Sequence, residues 1–143
     1  MSILNQNFTV ATLGKRTIAF IIDELLLSMI VSIILWDSVI AAKTLEEVIN
    51  VTNQFLIPYM GIKIGYQTLF TAQYGASLGK IVMKIRVIDM DNLSNPKFLS
   101  ALNRSVFRIV SEMFFYVGFI IAFFDSTNRT LHDRTAKTLV INV

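Results

Sequence analysis

Apolar residues in this chain gather into long blocks, and polar residues are largely confined to the intervals between them. Residues 17–36, "TIAFIIDELLLSMIVSIILW", form the first block, and 55–74, "FLIPYMGIKIGYQTLFTAQY", the second. Each has the length a bilayer core asks of a helix, about 20 residues at 1.5 Å rise. The third block, 107–124, overlaps a segment of different pattern. Arg104, Arg108 and Glu112 recur every fourth residue, with Phe98, Leu102, Val106, Ile109 and Met113 opposite them. That spacing predicts an amphipathic helix at a membrane interface, followed by a shorter apolar helix over about 114–124. The two pieces make a hairpin over about 97–124, with a tail from 125 to 143.

Two short stretches follow another rule. "KIRVID" (84–89) and "TLVINV" (138–143) are β-branched and extended in character. A lone strand leaves a whole edge of backbone unpaired, so the cheapest partner for each is the other. Pairing requires both on one side of the membrane, which is the reason to turn 97–124 back on itself rather than let it cross. The predicted fold is an all-α integral membrane protein with two transmembrane helices, the amphipathic hairpin and a small two-stranded β element.

Composition agrees. Of 143 residues, 54% are hydrophobic and 16% charged, with a mean hydropathy of +0.60; soluble domains carry about a quarter charged residues. One domain, 1–143, is expected at this length. The interval 37–53 carries three acids against one lysine, and 75–103 four cations against two acids. Lysine and arginine gather on the cytoplasmic side, so both termini and the second interval are expected there. No basic residue precedes Lys15, and the apolar run after it is too long for a secretory signal core, so it reads as a retained anchor. The lipid bilayer is the expected partner. The net charge of +3 without an aromatic-crossed basic stripe gives nucleic-acid binding little support, and with no cysteine and one histidine no metal site or cofactor is expected.

Ionisable residues inside the apolar blocks are the candidate chemistry. A carboxylate near a helix centre costs about 3 kcal/mol on insertion scales. The twelve Ile, Leu, Val and Phe residues of 17–36 return about 0.3–0.6 kcal/mol each, so two acids can insert but should face protein. Arg16 and Asp23 are two turns apart on one face, and Lys63 in the second block is available to neutralise Asp23 or Glu24. Asp23, Glu24, Arg16 and Lys63 are therefore a candidate ion- or proton-coupling set, or else buried pairs that hold helices together. Gly61 and Gly65 have the spacing that lets helices approach closely.

"GASLGK" (75–80) lacks the spacing and the Ser or Thr of a phosphate loop; its glycines read as a tight exit from the membrane, with Lys80 at lipid phosphates. Arg104, Arg108 and Glu112, together with Arg129, His132 and Asp133 of "NRTLHDRTAKT", are expected to form a polar cluster closing the cytoplasmic face. No nucleophile, metal or acid–base constellation stands at workable spacing, so an enzyme is not expected.

Taken in order, these stretches resemble the RDD family of small membrane proteins. The first-helix pattern is matched by Arg16, Ala19, Ile22, Asp23, Leu25 and Leu26; a G-x-[ST]-x-G-K segment followed by Arg-Val by Gly75, Ser77, Gly79, Lys80, Arg86 and Val87; an arginine by Arg104; and the closing pattern by Arg129, Leu131, His132, Asp133, Ala136, Thr138 and Val140. The resemblance implies that Arg16 and Asp23 are the family's arginine and first aspartate and Asp133 its second. It implies a multi-pass protein of the bacterial cytoplasmic membrane that is either a cation/proton antiporter or an assembly factor. Glu24 and Lys63 lie outside the pattern. Two functions therefore stand: proton-coupled cation exchange by a homo-oligomer or with a partner, and a non-transporting adaptor that stabilises a partner membrane protein.

Overall fold

The computed structural model describes residues 8–114 and 120–143. Helix α1 runs Leu13–Ala41 and α2 Leu45–Tyr74; then follow α3 (Leu78–Val82), β1 (Ile85–Asp89), α4 (Phe98–Met113), a 3₁₀ turn (Ile121–Phe124), α5 (Leu131–Thr135) and β2 (Thr138–Asn142). Both long helices begin at threonine caps. Thr12 accepts from the Lys15 amide and Thr44 from the Glu47 amide, each satisfying one of the orphan donors of a first turn. The Thr44 cap starts α2 well before the apolar block that predicted it, and Glu46 and Glu47 then sit where the helix dipole favours acids.

Helix α1 is inside-out. Only Ala19, Asp23 and Leu27 are buried along it, while Ile33, Leu25, Met29 and Trp36 are each more than 60% exposed. Apolar exposure on that scale marks a surface made for lipid or partner. Among the described residues α1 is the one helix both long and apolar enough to cross a membrane. The predicted second span, 55–74, lies wholly within α2, a helix that also carries Glu46, Glu47, Asn50, Asn53, Gln54 and Lys63. Among the described residues, a Cβ at Gly61 or Gly65 would meet nothing within 4 Å.

Helix α2 ends where Gly75 takes φ +70° and donates its N–H to the Thr71 carbonyl, the left-handed cap that glycine adopts at least cost. The chain turns at once into α3, which packs on α1, while α4 packs on α2 and α5 on α4. The expected strand pair forms: β1 and β2 are antiparallel, with Ile85 opposite Asn142 and Asp89 opposite Thr138. Ile85, Val87 and Val140 pack on Ala11 and Ala19 at the start of α1, and Ile88, Leu139 and Ile141 pack with Val10, Met90 and Leu93. The free edge of β2 is covered by residues 9–11. There the Ala11 amide donates to the Val140 carbonyl (3.0 Å) and the Asn142 amide to the Thr9 carbonyl (2.8 Å), which removes an exposed edge. The start of α1, the 85–89 strand and the C-terminal strand therefore share one end of the molecule.

Helix α4 corrects the expectation for 97–124. Its polar face meets not water but α2 and α5: Ala101, Arg104, Ser105, Arg108 and Ser111 are buried, while Phe98, Leu99, Val106 and Met113 are exposed. Of the apolar helix expected over 114–124, residues 115–119 lie outside those described, and Ile121–Phe124 form a short 3₁₀ turn.

Gly79 tests the packing of α3 on α1. A Cβ there would collide with the Ala19 carbonyl oxygen and come within 3.0 Å of Asp23 Cγ. Forced overpacking of this kind costs about 1–3 kcal/mol. Gly79→Ala is expected to lower the thermal midpoint of the purified protein, whereas Gly61→Ala, with open space around it, should leave it unchanged; equal midpoints for the two variants would contradict the packing.

Candidate functional site

Three nests of buried polar groups lie along α1, and each ties it to different elements. The first surrounds Asp133. Thr130 caps α5, and Asp133 at the third helical position accepts from the Thr130 amide (3.0 Å), so a local capping box fixes the carboxylate. The Arg16 guanidinium from α1 donates to one of its oxygens and the Arg104 guanidinium from α4 to the other. Arg104 also donates to the Thr138 hydroxyl of β2 (2.8 Å), and Arg16 to the Asn128 carbonyl. Asp133 is completely buried. Burial alone would raise its pKa, but Arg16 and Arg104 outweigh it and hold the carboxyl well below the usual range. His132 beside it is pushed well below its ordinary value by burial, then by Arg104, Arg16 and Arg108, which together overcome Asp133.

The second nest holds Asp23, which is buried and accepts three hydrogen bonds: from the Tyr66 hydroxyl of α2 (2.8 Å), the Ser77 hydroxyl (2.6 Å) and the Gly79 amide of α3 (2.9 Å). Tyr66 in turn accepts from the Leu78 amide (3.0 Å). Asp23 does not pair with Arg16, and of the two acids expected to neutralise Lys63 it is Glu24 that does so. Arg16 is drawn to Asp133, which the α5 cap presents at the end of α1, and Lys63 goes to the other acid. Sharing a face along one helix does not decide which neighbour supplies the partner.

The third nest centres on Lys63, 6% exposed in α2. Its ammonium pairs with Glu24 of α1 (2.8 Å) and with Glu112 of α4. Arg108, one turn before Glu112, reaches Glu112 at 3.4 Å and Glu24 at 3.8 Å, and lies 4.8 Å from the Phe20 ring centroid. The Tyr59 hydroxyl donates to Glu24 at 3.5 Å. Gln67 and Thr71 are buried on the same helix, and the Thr68 hydroxyl donates to Ser105 of α4 (3.0 Å).

The expected cytoplasmic cluster is thus split. Arg104, His132 and Asp133 belong to the first nest, and Arg108 and Glu112 to the third. Arg129 stands apart in the turn before α5, where it meets Asp125 at 3.7 Å. Tyr66, Ser77, Gly79 and Lys80 enter the site although no charge pattern marked them; the signal for three of them was the tight 75–80 turn.

Two cavities flank the third nest. The inner one, about 230 Å³, is lined by Arg16, Asp23, Lys80, Arg104, Arg108 and His132, with Leu13, Phe20 and Phe123 as apolar walls. The outer one, about 580 Å³, opens between α1 and α2, with Ser28, Ser32, Trp36, Thr52 and Tyr59 in its lining. Arg108 belongs to the inner lining and Tyr59 to the outer, and both reach Glu24.

A helix long and apolar enough to span a bilayer, polar nests turned inward and a two-stranded sheet at one end fit a membrane-associated helical protein. The RDD family model matches residues 10–137, and the chain belongs to that family. No curated protein and no solved structure matches it.

The Asp133 nest makes a pH prediction. In the folded chain His132 stays neutral, while unfolded histidine takes up a proton below pH about 6.5. Acid therefore favours unfolding: the stability is whole above that value and falls as the pH drops below it, by at most about 1.4 kcal/mol per pH unit for one group. Asp133, depressed rather than neutralised, adds a second loss only below its unfolded value of about 3.9. His132→Gln should flatten the midpoint-versus-pH curve between about pH 4 and 6.5; an unchanged slope would show that His132 is not the group responsible.

Proposed function

We propose that this RDD-family chain is a transport-related membrane protein in which the Glu24–Lys63–Glu112–Arg108 network carries proton-coupled exchange of a small cation. The observation that carries this reading is the position of the network between two cavities. Tyr59 reaches it from one side and Arg108 from the other, so Glu24 touches a lining residue of each cavity, as a group handing a proton or ion between them would. Ionisable residues facing the interior at membrane depth mark such pathways. The geometry moves the coupling role from Asp23 to Glu24, because three donors already hold the Asp23 oxygens while Glu24 shares its cations with Glu112. In this reading α1 and α2 both cross the bacterial cytoplasmic membrane, the sheet end and both termini are cytoplasmic, and no catalytic step is assigned. Two spans cannot enclose a polar path alone, so the working unit is a homo-oligomer or a complex with a partner membrane protein.

A second reading is a non-transporting adaptor. It is favoured by the buried ion pairs of Asp133 with Arg16 and Arg104, which suit a rigid piece that stabilises a neighbour, and by the open space beside Gly61 and Gly65.

Reconstituted vesicles separate the two. Wild-type protein should acidify or alkalinise the lumen when a sodium or potassium gradient is imposed, and Glu24→Gln should abolish this while keeping the midpoint within a few degrees. Wild-type vesicles that never move protons would leave the adaptor reading. The topology has its own test in a cysteine-free chain: a single cysteine added after Val143 should resist an impermeant maleimide applied to whole cells, and ready labelling would place the tail outside.

A further inference from the structure

We propose that the inner cavity is a binding site for a phosphate-type oxyanion, held by Lys80. Lys80 lies on α3, is 8% exposed, lines the cavity and makes no hydrogen bond or ion pair among the described residues. Of the other cations around it, Arg16 and Arg104 pair with Asp133, while Arg108 reaches Glu112 and Glu24 but keeps a buried Nη2 with no hydrogen bond among the described residues. Asp23 is the one acid in the lining, and its oxygens are engaged by Tyr66, Ser77 and Gly79. Across the three nests, Arg16, Lys63, Lys80, Arg104 and Arg108 face Asp23, Glu24, Glu112 and Asp133. The surplus is one positive charge among the cations around the cavity, because Arg16 and Arg104 share the single carboxylate of Asp133.

A buried charge without a partner is costly, and Lys80 shows the strain of it: burial first, then Arg104 and Arg108, push its pKa down to about 7. An anion in the cavity would cancel the surplus and restore the full ammonium charge, so binding near neutral pH would draw in a proton. A phosphodiester or dihydrogen phosphate carries the one negative charge needed, and its oxygens suit a lysine flanked by arginine forks. The volume, about 230 Å³, is below the roughly 300–1,000 Å³ of pockets for drug-sized molecules and fits one small anionic group. Two of the apolar walls, Leu13 and Phe20, belong to the first turns of α1 and the third, Phe123, to the 3₁₀ turn; with α1 crossing the membrane, its first turns stand where leaflet phosphates lie. The same chemistry is offered by a lipid headgroup and by free phosphate. This site goes beyond the exchange reading and does not depend on it, since a protein that moved no cations would still hold the anion.

The experiment uses the full chain in detergent after lipid removal. Inorganic phosphate is titrated by calorimetry at pH 7.5 in two buffers of different ionisation heat. Separately, protein taken from vesicles of equal parts phosphatidylglycerol and phosphatidylcholine is analysed by native mass spectrometry. The expected result is binding of one of these probes with net proton uptake, weakened at least about tenfold by Lys80→Met and kept by Lys80→Arg, as the loss of a charge-assisted hydrogen bond requires. Phosphate binding identifies a free anion as the ligand, and selective retention of phosphatidylglycerol without phosphate binding identifies a headgroup. Wild-type protein that takes up no phosphate and retains the two lipids equally overturns the proposal, whatever the variants do. Binding that is the same in Lys80→Met overturns it as well.

Discussion

The structure depends on one buried carboxylate. Asp133 comes from the far end of the chain, is completely removed from solvent, and accepts from an arginine in the first helix and another in the amphipathic helix. Removing one member of such a buried set costs about 3–5 kcal/mol, because charges are left without partners in a poor solvent for them. The interaction is also economical in chain entropy, since a capping box already fixes Asp133 before the arginines arrive. Once Arg16, Arg104 and Asp133 are together, α5 is anchored, β2 is delivered beside β1, and residues 9–11 are drawn over its outer edge. The sheet therefore follows from the ion pairs as much as from the β-branched residues that compose it.

The rest of the packing follows from what surrounds the protein. Helices α1 and α4 present apolar residues outward and polar ones inward. Lipid gives no hydrophobic drive to bury leucine between helices, so contact there is carried by small residues and polar bonds. The three nests fit that rule, and so does Gly79, whose missing side chain lets α3 lie against the α1 backbone. Asp23 then serves α3 as a cap of sorts, accepting from its Gly79 amide, while Ser77 and Tyr66 complete its acceptor set. A soluble protein of this size would have placed Val, Leu and Ile in these positions.

Much of this was legible in the residues. Blocks of apolar sequence located both long helices, the β-branched ends of "KIRVID" and "TLVINV" paired as their unpaired edges required, and the four family-like segments marked Arg16, Arg104 and Asp133. What the sequence withheld was azimuth. The seven-residue spacing of Arg16 and Asp23 says that they share a face, but not that α5 would approach one end of that face and α3 the other. The polar stripe of α4 was visible, yet nothing local said that it would turn toward α2 instead of water; that depended on the Lys63–Glu24 pair being there to meet Glu112 and Arg108. The early start of α2 was written in Thr44 and Glu47, but the apolar signal that begins at Phe55 outweighed it. Lys80 was placed at lipid phosphates by the 75–80 turn, but its burial in a cavity beside three arginines could not be read from a string.

The pair Asp23–Glu24 shows how these levels combine. Side by side in sequence, two acids in an apolar helix look like a like-charge pair competing for one site. Consecutive residues, however, leave a helix about 100° apart, which at this point sends one side chain toward α3 and the other toward α2 and α4. Asp23 enters a nest of neutral donors that hold it in place, whereas Glu24 enters a nest of cations that it shares with Glu112. About 12 Å along α1 from Arg16, Glu24 has exchangeable partners, and Asp23 has fixed ones. A fixed carboxylate builds a helix junction; a carboxylate with a choice of partners can change state. That difference in partners, rather than any difference in depth or residue type, is what assigns the structural role to Asp23 and the proposed coupling role to Glu24.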